Sequence, residues 1–78
     1  MTIPKIKKII LYPENYSFKV LFDNDVEKFI DFREKINEEF YKDLQNKDLF
    51  AQAVVDTGGY GISWNDDIDI SEYELWNM

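Results

Sequence analysis

A chain of 78 residues with no cysteine has to stabilise a small core without disulfides, and it has no thiolate for catalysis or zinc. With 45% hydrophobic and 32% charged residues it is a folding sequence, read as one cytoplasmic domain over residues 1–78, and no apolar run approaches the ~20 residues of a membrane span. All nine Lys/Arg lie in residues 1–47, balanced there by acids, so residues 48–78, with seven acids and no base, carry the whole formal charge of −7; this argues against direct binding to a phosphate backbone.

Lys5 to Tyr12 reads as a strand, with Ile6, Ile10 and Tyr12 on one face and Ile9 and Leu11 on the other. Lysines beside this patch mimic a signal peptide only loosely, because Ile9, Ile10 and Leu11 are too few for its apolar core. Pro13-Glu14-Asn15 makes a turn. From Tyr16 to Phe22 the alternation is clean: Tyr16, Phe18, Val20 and Phe22 point one way, and Ser17, Lys19 and Leu21 the other. Asp23-Asn24-Asp25 is a hairpin turn into a third strand, Val26 to Ile30. A two-residue turn there favours glycine after Asn24, so Asp25 either takes a positive φ at about 1 kcal/mol or belongs to a longer loop.

The period then changes. Phe32, Ile36, Phe40 and Leu44 recur every four residues, which predicts one helix from Asp31 to Leu44. Asp31 and Glu34 fit a capping box at its start, and Glu38 with Lys42 makes an i,i+4 pair worth about 0.3 kcal/mol. Asn46 to Leu49 follows as a short helical turn. Ala53 to Val55 is a strand, Thr57-Gly58-Gly59 a turn, and Tyr60 to Trp64 its hairpin partner. Ser71 and Glu74 then form an S-x-x-E box ahead of Tyr73, Leu75 and Trp76, with Asp69 and Glu72 near the positive end of a short terminal helix. The expected fold is α+β: a mainly antiparallel sheet of about five strands, one central helix and a short C-terminal helix.

Between Trp64 and Trp76 the chain carries Asp66, Asp67, Asp69, Glu72 and Glu74. Asp67, Asp69 and Ser71 match positions 1, 3 and 5 of a calcium loop, but Glu72 replaces the required glycine and no glutamate follows at position twelve. Gly58-Gly59-Tyr60-Gly61 misses both phosphate-loop spacings. With no His or Cys, Ser17, Ser63 and Ser71 lack an activating base beyond lysine, so no catalytic residue and no cofactor is expected. Trp64 is expected to close the core, whereas Trp76 and Tyr73 near the end suit a partner contact.

Several stretches resemble the bacterial domain of unknown function 2442 family: Phe22-Asp23 at the hairpin, Leu44 with Phe50, Val55-Asp56, Trp64, Asp67-Ile68-Asp69 and Leu75-Trp76. The resemblance spans the chain from about Lys5. It implies an α+β domain with a mainly antiparallel sheet and no known catalytic residues. Longer relatives carry a helix-turn-helix after this domain, which is not expected in a chain ending at Met78. Small ones are often encoded beside another short protein, as toxin–antitoxin pairs are. The chain departs from the family pattern at three places: no glycine after Asn24, Asn65-Asp66-Asp67 in place of Pro-Asn-Gly, and a longer, more charged segment from Glu34 to Tyr41.

The leading expectation is a non-catalytic interaction or regulatory module, antitoxin-like, presenting Asp66, Asp67, Asp69, Glu72, Tyr73 and Trp76 to a basic protein partner. Two alternatives stay open: an acidic decoy that inhibits a nucleic-acid-binding enzyme, and a weak divalent-metal-binding domain formed by Asp66, Asp67 and Asp69. Unpaired sheet edges also offer a route to a homo-oligomer.

Overall fold

The alternation after Tyr16 places Phe18, Val20 and Phe22 on one face of β2 (Ser17–Phe22), and all three are fully buried. In the computed structural model, which describes residues 2–78, β2 is the middle strand of an antiparallel sheet between β1 (Ile6–Tyr12) and β3 (Glu27–Asp31). A second antiparallel sheet contains β4 (Val54–Val55), β5 (Gly61–Ser63) and β6 (Asp69–Ser71) in that order. Both are meanders of consecutive strands, and their inner faces share one core with the segments between them. The α+β class holds. The expected single sheet is instead two three-stranded sheets, and the extra strand, β6, lies inside the acid-rich stretch. Among the described residues no helix is long and apolar enough to cross a membrane.

Four rings fix the core. Phe18 on β2, Phe32 just after β3, Phe50 at the end of α1 (Lys47–Phe50) and Trp64 just after β5 all lie within 5.5–6.4 Å of one another, centroid to centroid. Aromatic contacts of this tilted and edge-on kind contribute about 0.5–1.5 kcal/mol each beyond area burial. The Trp64 indole N–H donates to the Phe50 carbonyl at 3.1 Å, so its one polar atom is satisfied inside.

The face assignment for β1 needs correction. Its pairing with β2 shifts between Ile6 and Lys8, and this bulge reverses the parity of the strand. Ile6 is buried, Ile9 and Leu11 pack on the core, and Ile10 and Tyr12 face outward. At the other end of the fold, Gly59 (φ +75°) lies so close to β1 that a Cβ there would stand 2.4 Å from the Ile6 carbonyl oxygen. Only glycine lets the second sheet meet the first at that point.

The predicted helix from Asp31 to Leu44 is absent. Asp31 ends β3, and the Phe32 N–H still bonds to the Tyr16 carbonyl at 2.9 Å, which holds Phe32 at the sheet. Two 3₁₀ segments follow, Lys35–Asn37 and Glu39–Gln45, broken by Glu38 in an extended conformation (φ −74°, ψ 143°). Ile36, Tyr41 and Leu44 are buried, whereas Phe40, on the core side of a four-residue period, is 53% exposed. The step from Tyr41 to Leu44 is three residues, the 3₁₀ repeat. Ion pairs follow that repeat: Lys35–Glu38 at 3.6 Å and Glu39–Lys42 at 2.9 Å replace the expected Glu38–Lys42 pair. Asp31 does not cap a helix; it accepts from the Arg33 backbone N–H at 3.0 Å and from its guanidinium at 2.7 Å. That pairing holds its carboxyl below the usual aspartate range.

Short helices elsewhere are capped, at Ser71 as expected and also at Asn46. Asn46 Oδ1 accepts from the Asp48 and Leu49 N–H groups at the start of α1. Ser71 Oγ accepts from the Glu74 N–H at 3.1 Å at the start of α2 (Glu72–Asn77). Asp69 lies in β6, ahead of that helix. Lysines just before β1 and on β3 grip both ends of α2: Lys5 pairs with Glu72 at 3.1 Å, and Lys28 Nζ donates to the carbonyls of Leu75 at 3.2 Å, Trp76 at 2.5 Å and Met78 at 2.6 Å. Anion at the N-terminus and cation at the C-terminus is the favourable arrangement for the helix dipole.

Two substitutions test the local energetics. The β2–β3 loop has three residues, closed by the Phe22 N–H bond to the Val26 carbonyl, and Asp25 occupies its left-handed position (φ +68°). Asp25→Gly should therefore raise unfolding free energy by about 1 kcal/mol. Ser17 Oγ is buried and, among the described residues, has no hydrogen-bond partner. Ser17→Ala should also stabilise, by about 1 kcal/mol, because the hydroxyl forgoes water for nothing. Urea midpoints check both, and a loss of stability in either variant refutes its assignment.

Candidate functional site

Beyond Trp64 the chain must turn and enter β6. Asn65 directs this: its Oδ1 accepts the N–H groups of Asp67 at 2.8 Å and Ile68 at 2.9 Å. Ile68 and Ile70 point into the core, which leaves Asp66, Asp67 and Asp69 exposed. The acids are exposed because the isoleucines between them are buried.

Two grooves flank β6. The first, about 430 Å³, is lined by Val54, Asp56, Ser63, Trp64, Asn65, Asp66 and Asp69. Ser63 Oγ donates to Asp56 Oδ1 at 2.7 Å, which fixes that carboxylate at the rim. Among the described residues no Lys or Arg pairs with Asp56, Asp66 or Asp69. Nor does any set of three acids among them stand close enough to hold a metal ion. The geometry thus does not assemble the ion site that Asp66, Asp67 and Asp69 suggested.

The second groove, about 410 Å³, is lined by Lys35, Glu38, Phe40, Tyr41, Asp69, Ile70, Ser71 and Glu74. Lys35 bridges Glu38 at 3.6 Å and Glu74 at 3.9 Å. The Tyr41 hydroxyl donates to the Asp69 carbonyl at 3.2 Å. Burial first, then the charges of Glu74, Asp69 and Glu38, push the Tyr41 phenol up to about 12. β6 is an edge strand. The Trp64 N–H bonds to the Ile68 carbonyl and the Glu72 N–H to the Tyr60 carbonyl, so even-numbered residues face β5. By the alternation of an antiparallel ladder, the Asp69 and Ser71 backbone groups point away from β5, toward the second groove.

The six residues predicted to bind a partner do not form one surface. Asp66 and Asp69 meet at the first groove, and Asp69 reaches both. Asp67 is exposed on the loop, and Tyr73 on α2 is exposed outside either groove. Glu72 is committed to Lys5, which also lies 4.6 Å over the Tyr60 ring. Trp76 is half-buried, edge-on to Phe22 at 5.0 Å beneath Lys28. Sequence reasoning missed Asp56, Lys35, Glu38, Phe40 and Tyr41. Phe40 was hidden by its apparent place on a helical core face.

Residues 10–77 match a family described as a protein of unknown function, DUF2442. The chain belongs to this family. Comparison with curated proteins and with solved structures returned no match. The positions that carry the DUF2442 resemblance are mostly core: Phe22, Leu44, Phe50, Trp64 and Leu75 are buried. Two of the three departures from its pattern, Asn65–Asp67 and the segment from Glu34 to Tyr41, supply groove residues.

The shifted phenol gives a pH prediction. In the unfolded chain the Tyr41 phenol loses its proton near its ordinary value of 10.0, and in the folded chain near 12. Above pH 10 the unfolded state binds fewer protons, so stability falls as pH rises through that window, by on the order of 2 kcal/mol. Urea titrations across the window should show this slope in wild type and its loss in Tyr41→Phe. Equal slopes would remove Tyr41 as the cause.

Proposed function

We propose that this chain is a non-catalytic regulatory module, antitoxin-like, whose grooves beside β6 receive basic side chains of a protein partner. The supporting observation is the first groove, where Asp56, Asp66 and Asp69 surround a recess without a paired cation among the described residues. Of the seven acids in residues 48–78, only Glu72 and Glu74 have ion-pair partners among the described residues, Lys5 and Lys35. A guanidinium is planar, carries five donors and suits several carboxylates spread over a groove better than a compact metal ion does. Exposed Val54 at one groove and Phe40 at the other add apolar area next to the charge.

The test is a calorimetric titration with an arginine-rich peptide, followed by the same titration with any short protein found encoded beside this one. Binding should weaken about tenfold when Asp56, Asp66 and Asp69 are changed to Asn. The same loss of charge at Asp25, Glu34 and Asp43, outside both grooves, should leave most affinity in place. Equal losses in the two triple variants would reduce the acids to a general electrostatic field. No binding of either probe would sink the proposal.

A further inference from the structure

The first sheet has a second face, turned away from the core. The strand register arranges it in rows: Lys8 and Glu27 flank β2 in one row, Ile10 and Phe29 in the next, Tyr12 and Asp31 in the third. Ile10, Tyr12 and Phe29 are 41%, 36% and 63% exposed, and the Tyr12 and Phe29 rings lie 6.3 Å apart across the sheet. This is an open face with Lys19 between Ile10 and Phe29, a cation at one corner and acids along the opposite strand. It shares no residue with the grooves.

We propose that this face packs against the same face of a second copy, about a two-fold axis running along β2. Such an axis lays β1 of one copy over β3 of the other. Lys8 then meets Glu27, Ile10 meets Phe29, and the Tyr12 hydroxyl meets the Asp31 carboxylate, each contact occurring twice. The other in-plane axis, across the strands, sets Glu27 against Asp31, which Arg33 already holds at 2.7 Å, and leaves Lys8 facing Tyr12 and no acid. The favoured axis sets the two copies of Lys19 over one another, and the pairing with Glu27 at 3.9 Å draws each ammonium aside toward β3; Ser17 is small and already buried. Strands of seven, six and five residues make a patch roughly 14 by 17 Å. The two patches together then bury on the order of 500 Å², below the standard size of specific interfaces, so the dimer is a weak one that forms at high protein concentration.

Sedimentation velocity over a concentration series of the full chain tests this. Wild type should show a reversible monomer–dimer equilibrium. Phe29→Lys should weaken it at least about tenfold while the fold survives, since the side chain is mostly exposed already. Lys8→Glu should also weaken it, and adding Glu27→Lys should restore it, which only a Lys8–Glu27 contact between copies would do. A wild type that stays monomeric at the highest soluble concentration overturns the proposal. So does a dimer indifferent to Phe29→Lys, and failure of the charge swap to rescue overturns this axis.

Discussion

Phe18, Phe32, Phe50 and Trp64 come from four separate stretches of chain, and each ring touches the other three. In a chain this short a single core must serve both sheets, and large rings supply the area that chain length does not. Once β2 presents Phe18, the other three segments have to deliver one ring each to the same place. Connection geometry then follows from where the rings must arrive more than from what the connecting residues would prefer alone.

That requirement explains the segment after β3. Phe32 is held at the sheet, and Tyr41 lies 5.2 Å from Phe32 and 6.4 Å from Trp64, at the edge of the cluster. A buried tyrosine needs a partner for its hydroxyl, and the Asp69 carbonyl on the exposed edge of β6 provides one. An α-helix of period four would deliver Phe40 instead, which has no hydroxyl to offer that carbonyl. The chain takes two 3₁₀ pieces, turns Tyr41 inward and leaves Phe40 beside an acidic groove. Core satisfaction and groove composition are thus two results of one local choice.

Legibility followed the range of the forces involved. The alternation of Phe18, Val20 and Phe22, the Ser71 cap and the burial of Trp64 rest on neighbours in sequence or on hydrophobicity alone, and all could be read. The β1 bulge could not, because parity there depends on pairing with Phe22 and Leu21 far along the chain. The helix from Asp31 to Leu44 was a chance agreement of four apolar positions with a helical period, overridden by tertiary demand. β6 was masked because its outward residues, Asp69 and Ser71, resemble a loop while only Ile70 marks the strand. The candidate site was half legible. Asp66 and Asp69 lay in a visible acidic run, whereas Asp56 reaches them only through the β4–β5 hairpin.

The grip of Lys5 and Lys28 on α2 changes how the molecule must come apart. The terminal helix follows the second meander in sequence yet is fastened to β3 and to the residue ahead of β1. Neither half can detach as an independent unit without releasing the helix, so the tail works as a latch closing the chain on itself. Its closure joins residues separated by most of the polypeptide, the kind of contact that forms late in folding.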